Sequence, residues 1–151
     1  MERTLVLVKP DGVHRGLVGE VISRLERKGL KLVASRMVRP SRALVEEHYA
    51  VHKGKPFYAG LVDFLTSGPV MAMVVEGEGA IAVVRSLVGA TDPAKAAPGT
   101  IRGDLGIQVS RNIVHASDAP ETAAHEVKLW FPEGRFLEYE RTDEKWLYGG
   151  K

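Results

Sequence analysis

Short runs of branched apolar residues alternate with stretches of helical period along this chain, and that alternation restricts the fold more than any other feature. Arg3 to Lys9 (RTLVLVK) is short and rich in Leu and Val, as a strand is, and Pro10, Asp11 and Gly12 end it. From Leu17 to Lys28 the period becomes helical. Leu17, Val21, Ile22 and Leu25 fall on one face, Glu20, Arg24 and Lys28 point away, and Gly29 supplies the stop. Lys31 to Arg39 reads as a second strand. Ser41 can cap a helix running through His48, and a further helical piece, FYAGLVDFLTSG, begins near Phe57. Val70 to Glu76 is a buried third strand, Gly79 to Leu87 is helical, and Ala90 to Gly106 has the Gly, Pro and Asp content of a long loop. Asn112 to His115 is the last core strand. Asp118, with Pro120 and Glu121 behind it, marks the start of another helix.

The order is strand-helix-strand, extra helices, strand-helix-strand. It predicts an α+β fold of the ferredoxin-like βαββαβ type, a four-stranded antiparallel sheet covered by helices. No low-complexity linker or repeat interrupts it, so residues 1–151 read as a single domain. Residues 132–151 form a polar tail that carries Trp146 and Tyr148, and we expect it to pack on the domain or on a neighbouring subunit. A formal charge of +2 does not by itself call for a nucleic-acid partner. The apolar run at the start is too short for a signal peptide or a membrane span. With no cysteine, thiolate nucleophiles, thiolate metal sites and disulfides are excluded. The scarcity of Asn, Gln and Cys is a hint of a thermophilic source.

The single asparagine, Asn112, lies three residues before His115 in RNIVHASDAPE. A lone histidine is usually structural, but this one has company. Ser117 shares its strand face, and the helix starting just beyond offers free N–H groups and a positive dipole end that suit an anion. Imidazole is largely neutral near pH 7, so one ring nitrogen keeps a lone pair with which to attack. An anion site beside a neutral nucleophile points to phosphoryl transfer. Lys9 at the end of the first strand, Arg85 beside the Ile81, Val84 and Val88 stripe, and Arg102 among the glycines of GTIRGDLG are candidate anion-binding cations. Two other patterns carry less. GEGAIA, Gly77 to Ala82, opens a helix after a strand as a dinucleotide-binding turn does, but no second strand ending in an acidic residue follows soon after. HYAVH places His48 and His52 four apart without the Glu that a zincin needs, and reads as two surface histidines.

NIVHASDAPE resembles the active-site signature of nucleoside diphosphate kinases. The resemblance extends in order through VKPDGV, RGLVGEV, HY at Tyr49, KPFYAGLV, SGPVMAMV, GATDP and PGTIRGD, nearly the whole chain. It implies a ping-pong reaction in which His115 takes the γ-phosphate of a nucleoside triphosphate and passes it to another diphosphate, maintaining NTP and dNTP pools. By position in the matched motifs, Ser117 and Glu126 orient the imidazole and Tyr49 packs near the reacting phosphate. Arg85, Thr91 and Arg102 hold phosphates, and Lys9 and Asn112 reach the sugar and the terminal phosphate. Phe57 stacks on the base, with Leu61 and Val109 lining the same mouth. Mg²⁺ rides on the nucleotide phosphates, with no metal ligands from the protein. The resemblance further implies a cytoplasmic homo-oligomer, a hexamer before a tetramer, because the Ala90 to Gly106 loop with Pro93 lies at the trimer contact of hexameric relatives. Neither a membrane nor a nucleic acid is required. Lys55, Leu105 and Ala116 are mild departures. The rivals are a catalytically silent nucleotide-binding regulator of the same fold and a Rossmann-type oxidoreductase.

Overall fold

A computed structural model describes residues 1–149. Its sheet runs β2 (Lys31–Val38), β3 (Val70–Gly77), β1 (Glu2–Val8), β4 (Val114–Ala116), antiparallel at every pairing. β1 is central: Leu7 lies opposite Ala72 of β3 on one side and His115 of β4 on the other. Because helices cover both faces, β1 is apolar without alternation, and Leu5, Val6, Leu7 and Val8 are all fully buried. Val6 and Val8 join Val114 and Ala116 on one face, beneath α2 (Val18–Lys28) and α5 (Ala80–Val88). Leu5 and Leu7 belong to the other face, with α3 (Arg42–His48), α4 (Tyr58–Leu65) and Trp130 of α7 (Pro120–Trp130). His115 alternates with Val114 and Ala116, so the pleat turns it toward that second face. No helix among the described residues is long and apolar enough to cross a membrane.

Local chemistry accounts for several element ends. Ser41 Oγ accepts from Leu44 N–H at 3.1 Å and starts α3, while Gly29, at φ 112°, closes α2 in the left-handed conformation that glycine adopts without strain.

Four expectations are corrected. Pro10, Asp11 and Gly12 do not merely end β1 but open a short helix, α1 (Pro10–His14), because proline's fixed φ suits a first helical turn. Ala90 to Gly106 is not a plain loop. Asp92 caps a 3-10 turn at Pro93–Lys95, and Thr100 caps α6 (Ile101–Leu105) through Gly103 N–H at 3.0 Å. The last strand is shorter than Asn112 to His115: a 3-10 turn occupies Val109–Arg111, and Ile113 sits at φ 74°, a break no strand tolerates. Asp118 does not cap α7 either, since the N-cap is Ala119, with no side-chain hydrogen bond.

The tail packs back on its own chain. Leu137 N–H donates to Val33 O at 3.0 Å, Tyr139 Oη to Leu32 O at 2.7 Å, and Arg141 to the carbonyls of Glu26 and Leu30, both at 3.0 Å. In the closing helix α8 (Glu144–Tyr148), Tyr148 Oη lies against Glu78 N–H, whereas Trp146 is 80% exposed. Gly150 and Lys151, the end of the expected tail, lie outside the described residues.

Candidate active site

β4 delivers His115 to a cleft of about 1410 Å³, where its side chain is 21% exposed. α7 brings Glu126 in from the side. His115 Nε2 lies 2.9 Å from Glu126 Oε1, and Ser117 Oγ donates to the same oxygen at 2.6 Å. An ionised carboxylate only accepts, so Nε2 carries the ring proton and the lone pair is on Nδ1. Burial by itself would raise the Glu126 pKa. The hydrogen bond from His115 and the nearness of the His115 and His48 rings, with Ser117 behind them, hold it below the ordinary carboxylate value. The pair thus sets the tautomer of a nucleophilic nitrogen and anchors one edge of its ring.

The break at Ile113 builds the cationic wall. Ile113 O accepts from Lys9 N–H at 2.8 Å and Ile113 N–H donates to Asp11 Oδ2 at 3.0 Å, so α1 is tied to the approach to β4. Asn112, turned off the strand line, accepts from Lys9 Nζ at 2.9 Å through Oδ1 and donates to Thr91 O at 3.1 Å. Arg102 is buried and gives all its hydrogen bonds to carbonyls: Asn112 O at 3.2 Å, Gly89 O at 3.3 Å and Val114 O at 2.7 Å. Arg85 likewise donates to Ala116 O at 3.3 Å. Among the described residues neither guanidinium has a carboxylate partner within ion-pair distance. Burial first, then Arg102, pushes Lys9 down to about 8, against the pull of Asp11; burial and then Arg85 push Arg102 down to about 10. Three cations crowded together, with Asp11 as the one carboxylate that offsets Lys9 and Arg102, are a site that a polyanion stabilises.

The far end of the cleft is apolar. Phe57 and Val109 are 51% and 54% exposed, and Leu61 of α4, half-buried, lines the same cleft. Such side chains at a cleft mouth offer a flat ligand two surfaces to lie against. Tyr49, buried next to His48, keeps its hydroxyl proton, since burial and then Glu126 push it up to about 12. Lys9, Tyr49, Phe57, Leu61, Arg85, Thr91, Arg102, Val109, Asn112, His115 and Glu126 therefore all line one cleft, and Ser117 lies behind, on Glu126. A separate cavity of about 450 Å³ beside Phe131 and Phe136 does not reach His115.

The reading of His48 as a surface residue is corrected, whereas His52 is half-buried. α3 ends at His48, and the inward face that buries Val45 buries His48 as well, where its Nδ1 accepts from Trp130 Nε1–H at 3.1 Å. His52 lies beyond, in a 3-10 turn (Ala50–His52), edge-on to Phe57 at 5.2 Å. Ligating atoms of His48, His115 and Glu126 come within 4.8 Å of one another. His48 Nδ1 and His115 Nε2 are already committed to hydrogen bonds, so this trio is a poor seat for a resident metal. GEGAIA leads from β3 into α5 within a wholly antiparallel sheet, and so lacks the parallel strand of a dinucleotide-binding unit. Asp11 and Trp130 are supporting residues to which the sequence alone gave no role, and His48 is one it placed at the surface. Only the burial and long-range pairing of their side chains reveals them.

A family model for nucleoside diphosphate kinase matches residues 2–136. A nucleoside diphosphate kinase of Archaeoglobus fulgidus is 63% identical over 148 residues, 98% of each chain, and one of Carboxydothermus hydrogenoformans is 58% identical, covering 98% of this chain and 99% of the relative. Among solved structures, a nucleoside diphosphate kinase family protein from Babesia bovis superposes with a TM-score of 0.94 at 50% identity, over 98% of this chain and 100% of that one. A halophilic nucleoside diphosphate kinase from Halobacterium salinarum, solved in complex with CDP, also gives 0.94 at 50% identity, over 97% and 98%. Matched over nearly its full length in sequence and in fold, the chain belongs to the nucleoside diphosphate kinase family of phosphotransferases.

Proposed function

We propose that the chain moves the γ-phosphate of a nucleoside triphosphate to a nucleoside diphosphate in two half-reactions through a phosphohistidine on His115. The observation that carries this is the bond from His115 Nε2 to Glu126, which leaves Nδ1 unprotonated in a cleft that also holds two guanidiniums without carboxylate partners. In the first half-reaction the Nδ1 lone pair forms a bond to the γ-phosphorus as the bond to the β,γ-bridging oxygen breaks in line, and the diphosphate leaves with that electron pair. The second half-reaction runs the same step backwards onto a different diphosphate. Arg85, Arg102 and Thr91 hold the phosphates, and Lys9 and Asn112 reach the sugar and the terminal phosphate. Tyr49, as a neutral donor, packs beside the transferring group, and Ser117 holds Glu126 against the ring. Mg²⁺ arrives on the nucleotide, where it neutralises phosphate charge. Such an enzyme balances NTP and dNTP pools. Radiolabel transfer tests the reading: γ-labelled ATP should label the protein, GDP should discharge the label as GTP, and a chain that takes up no label would end it.

The mouth bears on substrate range. Phe57, Leu61 and Val109 present surfaces to a base, and stacking accepts every base because each has a π-face. We expect purine and pyrimidine nucleotides, ribo and deoxy, all to serve, with kcat/KM differing by less than about a hundredfold; a wider spread in steady-state assays would show that base edges are read.

The chain also exposes apolar side chains that a partner subunit would cover. Ile107, just past the Ala90 to Gly106 segment, is 83% exposed, and Trp146 is 80% exposed. With Pro93 retained in that segment, we propose a homo-oligomer, a hexamer before a tetramer. Light scattering at micromolar concentration should give a multiple of the 16.5 kDa chain mass, and a monomer would reject it.

A further inference from the structure

We propose that His48 is a positioning residue for the reaction: clamped by Trp130, its ring fixes the plane of His115 so that Nδ1 stays in line with the phosphorus. The inference rests on His115 being the phosphoryl acceptor. One hydrogen bond does not hold an imidazole. Nε2 and Nδ1 both lie off the Cβ–Cγ rotation axis, so a twist of the ring swings Nδ1 off line and stretches the bond to Glu126, and a single hydrogen bond tolerates a range of such twist. Something must bear on the ring itself. His48 does so, with its ring centroid 4.5 Å from that of His115 and the planes at 78°. His48 is held in turn by Trp130, fully buried, through the 3.1 Å bond to its Nδ1, and by Tyr49, 4.7 Å away at 74°.

The polar chemistry of this second histidine explains why a simple hydrocarbon does not fill the place. Trp130 Nε1–H is buried and needs an acceptor, and His48 Nδ1 is the one it has. Accepting there puts the proton of the neutral ring on Nε2, which has no hydrogen-bond partner among the described residues. Neutrality is favoured: burial first, then the nearby His115 and Lys9, push His48 down to about 3 despite Glu126. A charged ring here would draw Glu126 Oε2, now 3.8 Å from His48 Nδ1, and loosen the carboxylate's hold on His115. His48 thus restrains the nucleophile without competing for its partner.

Single-turnover phosphorylation by ATP, with ADP affinity measured alongside, tests this. His48→Ala should slow phosphorylation by about ten- to a hundredfold, the scale of a misplacement near 1 Å, and leave the ADP dissociation constant within about threefold. ¹⁵N NMR of His115 should then show mixed tautomers in place of the Nε2–H form. Two packed double variants separate a ring from mere filling. His48→Phe with Trp130→Phe keeps an aromatic wall and strands no polar group, and should recover a rate within about threefold of the parent; His48→Leu with Trp130→Phe fills the space without a plane and should stay slow. Equal rates in these two, or a His48→Ala protein that phosphorylates at the parent rate, would overturn the assignment. The doubles decide the matter even if His48→Ala fails to fold. A parent chain that takes up no phosphate would instead defeat the phosphohistidine reading beneath it.

Discussion

His115→Ala should take up no label from γ-labelled ATP and lose turnover by about 10⁴-fold or more, the scale seen when a covalent enzyme loses its nucleophile. The loss belongs to chemistry and not to folding. His115 is partly exposed on a three-residue strand whose neighbours, Val114 and Ala116, carry the core packing, and its removal leaves Glu126 still bonded to Ser117. One charge-assisted hydrogen bond, roughly 1.5–3 kcal/mol, is what stability loses, so thermal unfolding should fall by less than about 10 °C. Circular dichroism and a melting curve check that half of the prediction. Label stability checks the other half. A phosphoramidate is acid-labile and base-stable, whereas a phosphoserine survives acid. Ser117 is the nearest competitor, 2.6 Å from the same carboxylate oxygen, and an acid-stable label would move the covalent step to it.

The second large effect concerns the sugar. In single-turnover experiments 2′-deoxy triphosphates should phosphorylate His115 nearly as fast as ribo ones, and 2′,3′-dideoxy analogues should be slower by roughly a hundred- to a thousandfold. The leaving diphosphate develops charge on the bridging oxygen, and Glu126 cannot donate to it, since its carboxylate is committed to His115 and Ser117. Lys9 and Asn112 are joined at 2.9 Å, yet each keeps donors to spare. Lys9 uses one of three ammonium protons on Asn112 Oδ1, and Asn112 uses one of two amide protons on Thr91 O. Held by these two, a 3′-hydroxyl can turn its own proton toward the bridging oxygen. A donor aimed at developing charge in a dry site is worth about 2.7–4 kcal/mol, and because it strengthens mainly in the transition state, binding should suffer less than rate. Equal rates at saturation for deoxy and dideoxy nucleotides would falsify this and leave the charge to Lys9 and the arginines.

Much of this protein was legible in its sequence, and for a local reason. Strands and long helices announce themselves through apolar spacing within a few residues, so β1, α2 and β3 appeared where the periodicity put them, within a residue or two at their ends. The strand order in sequence was enough to imply the antiparallel sheet, because short connections and two covered faces leave few alternatives. The resemblance of NIVHASDAPE and its companion motifs supplied most site residues, although Glu126 and Tyr49 carried no signal of their own. What the sequence could not supply were features decided by partners far along the chain. Ile113 is β-branched and reads as strand, yet it is held at φ 74° by hydrogen bonds to Lys9 and Asp11, about a hundred residues away. That break, and not strand alternation, swings Asn112 toward Lys9. His48 looks like any polar residue at the end of a helix until Trp130, 82 residues on, claims its ring nitrogen. Periodicity reports the face a residue prefers, whereas a buried polar group takes its place from the one distant partner that can satisfy it, and only the folded chain brings that partner near.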